Sequence, residues 1–194
     1  RGLPAGSVWV IEPNPSDWLK GTGVSLNATL PASPAIVLVA VKPQMMGAAL
    51  PAIAAMGGGA TLVLSIAAGT TIASFEEVFG QGTPIIRAMP NTPAAVGRGI
   101  TAITGNGKAT EAHLALAETL LSAVGQVVRL QGEHQMDAVT AVSGSGPAYV
   151  FHLIEALAAA GAAEGLPADL AMQLAKATVA GAGAPSSPNH AAYS

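Results

Sequence analysis

A chain of 194 residues, 51% hydrophobic and only 10% charged, suits one large domain or two small ones around a buried core. Its net charge of −3 offers no basic face to neutralise phosphates, which argues against a nucleic-acid partner. With no cysteine, disulfides, thiolate metal sites and cysteine nucleophiles are excluded.

Short runs that are apolar throughout recur at 8–11, 36–41, 62–66, 84–89, 100–103 and 127–130. Runs of this kind predict strands buried on both faces, as in a parallel sheet covered by helices. The first leads into Glu12-Pro13-Asn14-Pro15. At the end of the second strand of a dinucleotide-binding sheet, an acid holds the adenine ribose hydroxyl of NAD. Glu12 would sit there and disfavour the extra phosphate of NADP. Asn14 could instead hydrogen-bond that phosphate, and a plain surface acid is a third reading, so NADP or NAD stays open. Such sites begin with G-x-G-x-x-G between the first strand and first helix. Every G-x-G here, at Gly21/Gly23, Gly57/Gly59, Gly80/Gly82, Gly97/Gly99, Gly105/Gly107, Gly144/Gly146 and Gly181/Gly183, lacks a glycine three residues on. The expectation is that the first strand and phosphate loop lie before Arg1 and that the chain is a fragment beginning inside the first helix.

The run at 36–41 stops sharply at Lys42-Pro43. Ligands of open parallel sheets bind at the carboxyl ends of strands, so Lys42 and the adjacent backbone are placed to meet a dinucleotide; a solvated lysine is the competing reading. Mean hydropathy is +0.50, and residues 43–75 carry no charge. That stretch exceeds the roughly 20 residues a membrane span requires. Pro51 and Gly57-Gly58-Gly59 cut it in two, which predicts helix, turn and buried strand and no membrane partner. The run at 62–66 enters Ala67-Ala68-Gly69, where Gly69 would let the main chain approach a ligand closely, or simply turn. Past 84–89, Met89-Pro90-Asn91-Thr92-Pro93 is a loop stiffened by two prolines. It presents an amide and a hydroxyl, a fit for a nicotinamide or a small polar substrate, with a structural turn as the alternative. Arg87, inside the strand, is expected to make a packing or pairing contact.

Residues 111–124 place Leu114, Ala117, Leu121 and Val124 on one helical face, a core stripe. Alternating strand and helix indicates an α/β sheet, and the strand signal ends near Leu130. Ser143-Gly144-Ser145-Gly146-Pro147 then predicts a compact turn delivering two hydroxyls and free backbone N–H groups to a helix start, with Pro147 at the first helical position. Such a terminus suits a carboxylate; a capped turn without ligand is the alternative. Helices over 147–163 and 167–180 follow, the second lined by Ala171, Ala175, Ala177 and Ala180, and 181–194 is expected to be loop or tail. The spacing of His113, His134, His152 and His190 suits no metal cluster, and no G-x-S-x-G elbow supports a serine hydrolase.

Four segments, in order, resemble the pyrroline-5-carboxylate reductase family: Ala40-Val41-Lys42-Pro43-Gln44, Ser65-Ile66-Ala67-Ala68-Gly69, Arg87-Ala88-Met89-Pro90-Asn91-Thr92-Pro93, and Met136-Asp137-Ala138-Val139-Thr140 through Ser143-Gly144-Ser145-Gly146-Pro147-Ala148-Tyr149. Gly165-Leu166-Pro167 also fits, and the resemblance runs from Arg1 to about Ala184. It implies an α/β fold, a Rossmann-like dinucleotide-binding domain over 1–130 followed by an all-α dimerisation domain over 131–194, incomplete at its N- and C-terminal ends respectively. It further implies hydride transfer from NADP or NAD in reduced form to the imine carbon of pyrroline-5-carboxylate, the last step of proline biosynthesis. By correspondence the cofactor would contact Glu12, Asn27, Ala40, Val41, Lys42, Pro43, Ala67, Ala68 and Gly69, with Asn91 beside it. Glu133, Ser143 and Ser145 would face the substrate, Glu133 near the ring nitrogen. The family's Ser-Pro-Gly-Gly-Thr-Thr-like loop is altered here to Ser186-Ser187-Pro188-Asn189-His190-Ala191-Ala192, with Ala192 where the threonine would be, and the final helices are missing. An incomplete active site is therefore expected, with no catalytic side chain singled out.

The expected partners are a small-molecule substrate and a second copy of the chain, as a homodimer or higher homo-oligomer, with no nucleic acid and no membrane. The N-terminus shows no basic segment followed by an apolar one, and a cytoplasmic enzyme is the expectation. Two other readings stand beside the reductase. One is another two-domain NAD(P)-dependent imine or hydroxy-acid dehydrogenase, which fold alone does not separate. The other is a non-catalytic binding or oligomerisation module left after truncation.

Overall fold

A computed structural model describes residues 3–184; the altered loop at 186–192 lies outside them. Two strands, β1 (Trp9–Val10) and β2 (Ser25–Leu26), flank the one-turn helix α1 (Asp17–Lys20) and pair in parallel as a separate ribbon. The main sheet follows in simple order: β3 (Ile36–Val39), β4 (Leu62–Ser65), β5 (Ile85–Met89), β6 (Gly99–Gly105) and β7 (Gly125–Arg129). β3, β4 and β5 are parallel, as the apolar runs predict, whereas β6 runs antiparallel to β5 and β7 parallel to β6. The predicted strands are present but shorter at several ends, and β2 was not anticipated. A two-residue strand carries no readable period.

β4 shows why the sheet has two cores. All four of its residues are buried, and alternation sends Leu62 and Leu64 one way and Val63 the other. On one face, Val39, Val63 and Ile85 meet Phe75 and Phe79 of α3 (Ile72–Phe79), together with Met46 of α2 (Met46–Ala49). On the other, Leu62, Leu64, Ile86 and Ile103 meet Ala117 of α4 (Glu111–Leu121). Of the stripe predicted on α4, Leu114, Ala117 and Leu121 pack inward; Val124, past the end of the helix, is 37% exposed. Burying Phe75 completely contributes roughly 1.5–3 kcal/mol relative to leaving it in water.

Two devices fix the far edge of the sheet. Gly125 sits at φ +148 opposite Gly99, so close that a Cβ would overlap the Gly99 carbonyl; no side chain is tolerated there. Arg129 in β7 bonds Glu118 and Glu111 of α4, with Nη1 donating to Glu111 Oε2 at 2.7 Å and Nη2 to Glu118 Oε2 at 2.9 Å. These hydrogen bonds hold both carboxyls below the ordinary carboxylate value of 4.5 and push the guanidinium further up.

After β7 the chain is helical. α5 (Met136–Val139) passes through a π-helical turn, Thr140–Gly144, into α6 (Gly146–Ala163), and α7 (Ala168–Ala182) folds back against it. Small residues permit the close approach: Ala158, Ala171 and Ala175 are buried, and a Cβ on Gly161 would touch the Ala171 methyl at 3.3 Å. The outer faces stay apolar and exposed, with Tyr149 63%, Phe151 60% and Leu174 49% accessible. No helix among the described residues is long and apolar enough to cross a membrane. The whole is a Rossmann-like α/β sheet followed by an all-α segment.

Candidate active site

Because β3, β4 and β5 are parallel, the segments that follow them emerge along one edge of the sheet. After β3 come Ala40, Val41, Lys42 and Pro43; Lys42 is exposed and its carbonyl accepts the Met45 N–H at 2.8 Å, closing a tight turn. After β4, Ile66 N–H donates to the Val39 carbonyl at 3.1 Å, so the two loops share a base. Ala67 N–H donates to Ser65 Oγ at 3.2 Å, Ala68 is exposed, and Gly69 turns the chain at φ +74 with open space where a Cβ would be. Thr71 then caps α3, its hydroxyl accepting the Ser74 N–H. After β5, Asn91 is half-buried and its Oδ1 accepts the Ile100 N–H at 3.0 Å, pinning the Met89–Pro93 loop onto β6.

Glu12 and Asn27 are also brought together, on the separate ribbon. Asn27 Oδ1 accepts the Glu12 N–H and its Nδ2 donates to the Glu12 carbonyl, both at 2.9 Å. The Glu12 carboxylate accepts the Asn14 N–H at 2.9 Å. Asn14, weighed as a partner for a cofactor phosphate, thus spends its backbone donor on the acid it was to compete with. Asn27 holds φ +51, the left-handed region that asparagine tolerates better than most residues.

The helical segment packs against β5 and the start of α3. The predicted helix start is present, with α6 beginning at Gly146 and Pro147 in its first turn, but the residues before it are not a free compact turn. Helix precedes them, and the Ser145 N–H donates to the Thr140 carbonyl at 2.8 Å, five residues back. The π turn ends at Gly144, and Ser145 caps α6, where Pro147 sits in the first turn and its missing N–H costs nothing. π-helical turns occur often at functional sites. Ser143 Oγ donates to the Val139 carbonyl at 3.1 Å, which leaves that oxygen able to accept, while Ser145 is half-buried. Gly144 rests on β5: a Cβ there would come within 2.8 Å of the Met89 methyl.

Glu133 lies beneath this contact. Its Oε1 accepts from Arg87 Nη1 at 2.7 Å and from the Ile72 N–H at 2.8 Å. The pairing contact expected of Arg87 is therefore with Glu133. That Glu133 would also join the start of α3 had no signal in the sequence, since 61 positions separate it from Ile72.

The family profile described as pyrroline-5-carboxylate reductase dimerisation matches residues 133–192. A pyrroline-5-carboxylate reductase of Pseudomonas aeruginosa is 40% identical over 188 residues, covering 94% of this chain and 69% of that protein. The chain belongs to the pyrroline-5-carboxylate reductase family. A Synechocystis pyrroline-5-carboxylate reductase is 50% identical over 148 residues, covering 75% of this chain and 54% of its own length. Beyond the Pseudomonas relative, the chain thus spans about half the length of several it matches, 52% for that of Mycobacterium leprae. Among solved structures, the pyrroline-5-carboxylate reductase of Coxiella burnetii superposes with a TM-score of 0.83 at 33% identity, covering 92% of this chain and 68% of that one. A Plasmodium falciparum pyrroline carboxylate reductase with NADP bound gives 0.78 at 30% identity, covering 89% and 65%.

Proposed function

We propose that this chain carries the cofactor edge and the substrate-facing helix of a reductase that converts 1-pyrroline-5-carboxylate to L-proline, the last step of proline biosynthesis. The observation that carries the reading is the contact of Gly144 with Met89. It sets the Ser-Gly-Ser-Gly segment against the end of β5, two residues before Asn91. Residues 1–130 form the dinucleotide-binding part and 131–194 the helical dimerisation part.

The residues present fit a dinucleotide. Gly69 turns with no side chain in the way, and Ala67 and Ala68 keep the neighbouring loop thin, so the main chain can lie against an extended ligand. NADP or NAD in reduced form supplies the hydride, which adds to the imine carbon while a proton goes to the ring nitrogen. Ala40, Val41, Lys42 and Pro43 contact the cofactor along the β3 end, Ala67, Ala68 and Gly69 along the β4 end, and Asn91 orients its nicotinamide end. Glu12 and Asn27 flank the adenine ribose. Ser143 and Ser145 hold the substrate, and Glu133, bonded to Arg87 and to the Ile72 N–H, anchors the segment that bears them. The work of these groups is orientation, which by itself lowers a barrier substantially.

The apolar outer faces of α6 and α7 support association of two copies, because exposed patches of this kind mark interfaces. A need for reduced nicotinamide supports a cytoplasmic setting. The test is oxidation of NADPH and of NADH by the purified chain, with and without pyrroline-5-carboxylate. Substrate-dependent oxidation is expected; its absence with both cofactors would overturn the assignment of activity to this chain.

A further inference from the structure

The segment that carries the two serines is tied to β5 at two points. Arg87 and Met89 are two apart in one strand and so project to the same side of the sheet. Met89 meets Gly144, and Arg87 meets Glu133, eleven positions earlier in the same helical segment. Between them Met136 is fully buried. The helical segment thus straddles β5, with an ion pair under one end and a backbone contact at the other.

The ion pair is built to hold. Arg87 is 6% exposed, between Ser65 of β4 and Thr104 of β6. A guanidinium buried this far needs its partner, because removing the carboxylate leaves the charge uncompensated. The same Glu133 oxygen accepts the first N–H of α3, at the positive end of a helix that starts just after the Ala67–Gly69 loop. One carboxylate therefore links the strand leading to Asn91, the helix after the cofactor loop, and the segment bearing Ser143 and Ser145.

We infer that Arg87 and Glu133 are a positioning pair, a latch that fixes the Ser143–Ser145 segment against the end of β5 and the start of α3. This rests on the reductase reading for its consequence in catalysis, though not for its existence. Glu133 would then act through the placement of the serines and the α3 loop.

Hydrogen exchange of the full chain tests the latch without requiring turnover. Glu133→Gln keeps the shape and an acceptor for Ile72 but removes the charge facing Arg87. Amides of residues 70–75 and 133–147 are expected to exchange on the order of tenfold faster, with those of β4 unchanged, as for a local opening. Glu133→Asp, which retains the charge one methylene short, is expected to give the same pattern at smaller amplitude and serves should the Gln variant fold poorly. Unchanged exchange in both segments, or uniform acceleration that includes β4, would overturn the latch. With substrate and NADPH, Glu133→Gln is expected to lower kcat on the order of 10- to 100-fold, as for a small misplacement of reacting groups, with KM for the dinucleotide unchanged. If the unaltered chain shows no turnover, the reductase reading fails while the exchange result still decides the latch.

Discussion

Asn27 combines a left-handed backbone with two hydrogen bonds to the neighbouring segment. It holds φ +51 while both ends of its amide bond the Glu12 backbone. Replacing it with alanine removes two hydrogen bonds and leaves the left-handed backbone without a residue that tolerates it. Asn27→Ala is expected to cost the β1–β2 ribbon about 1–2 kcal/mol, and Asn27→Gly less, because glycine relieves the backbone term. Local amide exchange at residues 9–12 measures both. In the core, Phe75 of α3 is wholly buried in the cluster that holds Val39, Val63 and Ile85 of the sheet. Phe75→Ala is expected to destabilise the fold by about 3–5 kcal/mol, seen as a lower denaturation midpoint with little change in slope. The sequence pointed to Glu12, Lys42 and Gly69 because each follows an apolar run, a local signal. The bond from Glu133 to Ile72 has none, because it depends on how two distant segments pack.

Among elements, α4 joins β7 through an ion cluster on its outer side as well as through the apolar contact of Leu114, Leu121 and Val127 with one core. Glu111 and Glu118 titrate below 4.5 in the folded chain because Arg129 hydrogen-bonds their ionised forms. The unfolded chain therefore takes up protons first as pH falls. The stabilisation is fully present above about 4.5 and is lost as the pH drops through the lower folded values. Arg129→Met is expected to lower the denaturation midpoint at pH 7 and to differ less from the parent at pH 3. One molar salt should narrow the gap at pH 7, since the cluster is open to solvent. Strands β3 to β5 were legible because continuous apolar runs are what burial on both faces demands. The reversal at β6 was also open to inference: residues 90–98 are too few for a parallel crossover, which takes a dozen or more. The π-helical turn was not, since glycine and serine before a proline spell a turn as readily as a widened helix.

For the whole molecule, most of the apolar surface of α6 and α7 faces outward. Light scattering on the purified chain is expected to give at least twice the 19.0 kDa chain mass. Phe151→Glu is expected to shift the population towards the single chain; a monomer in the parent would remove the dimer from the proposal. A subtler property belongs to Thr140–Gly144, whose carbonyl at Thr140 is reached from five residues on. That turn contains one residue more than an α-helix would use. Shortening the chain by one residue there would rotate everything downstream by about 100° around the helix axis. α6 and α7 would turn together relative to the sheet, and the outward apolar stripe would aim elsewhere, with every remaining residue unaltered. The helical half is therefore phased by residue count, so an insertion or deletion in this turn should be far less tolerated than a substitution.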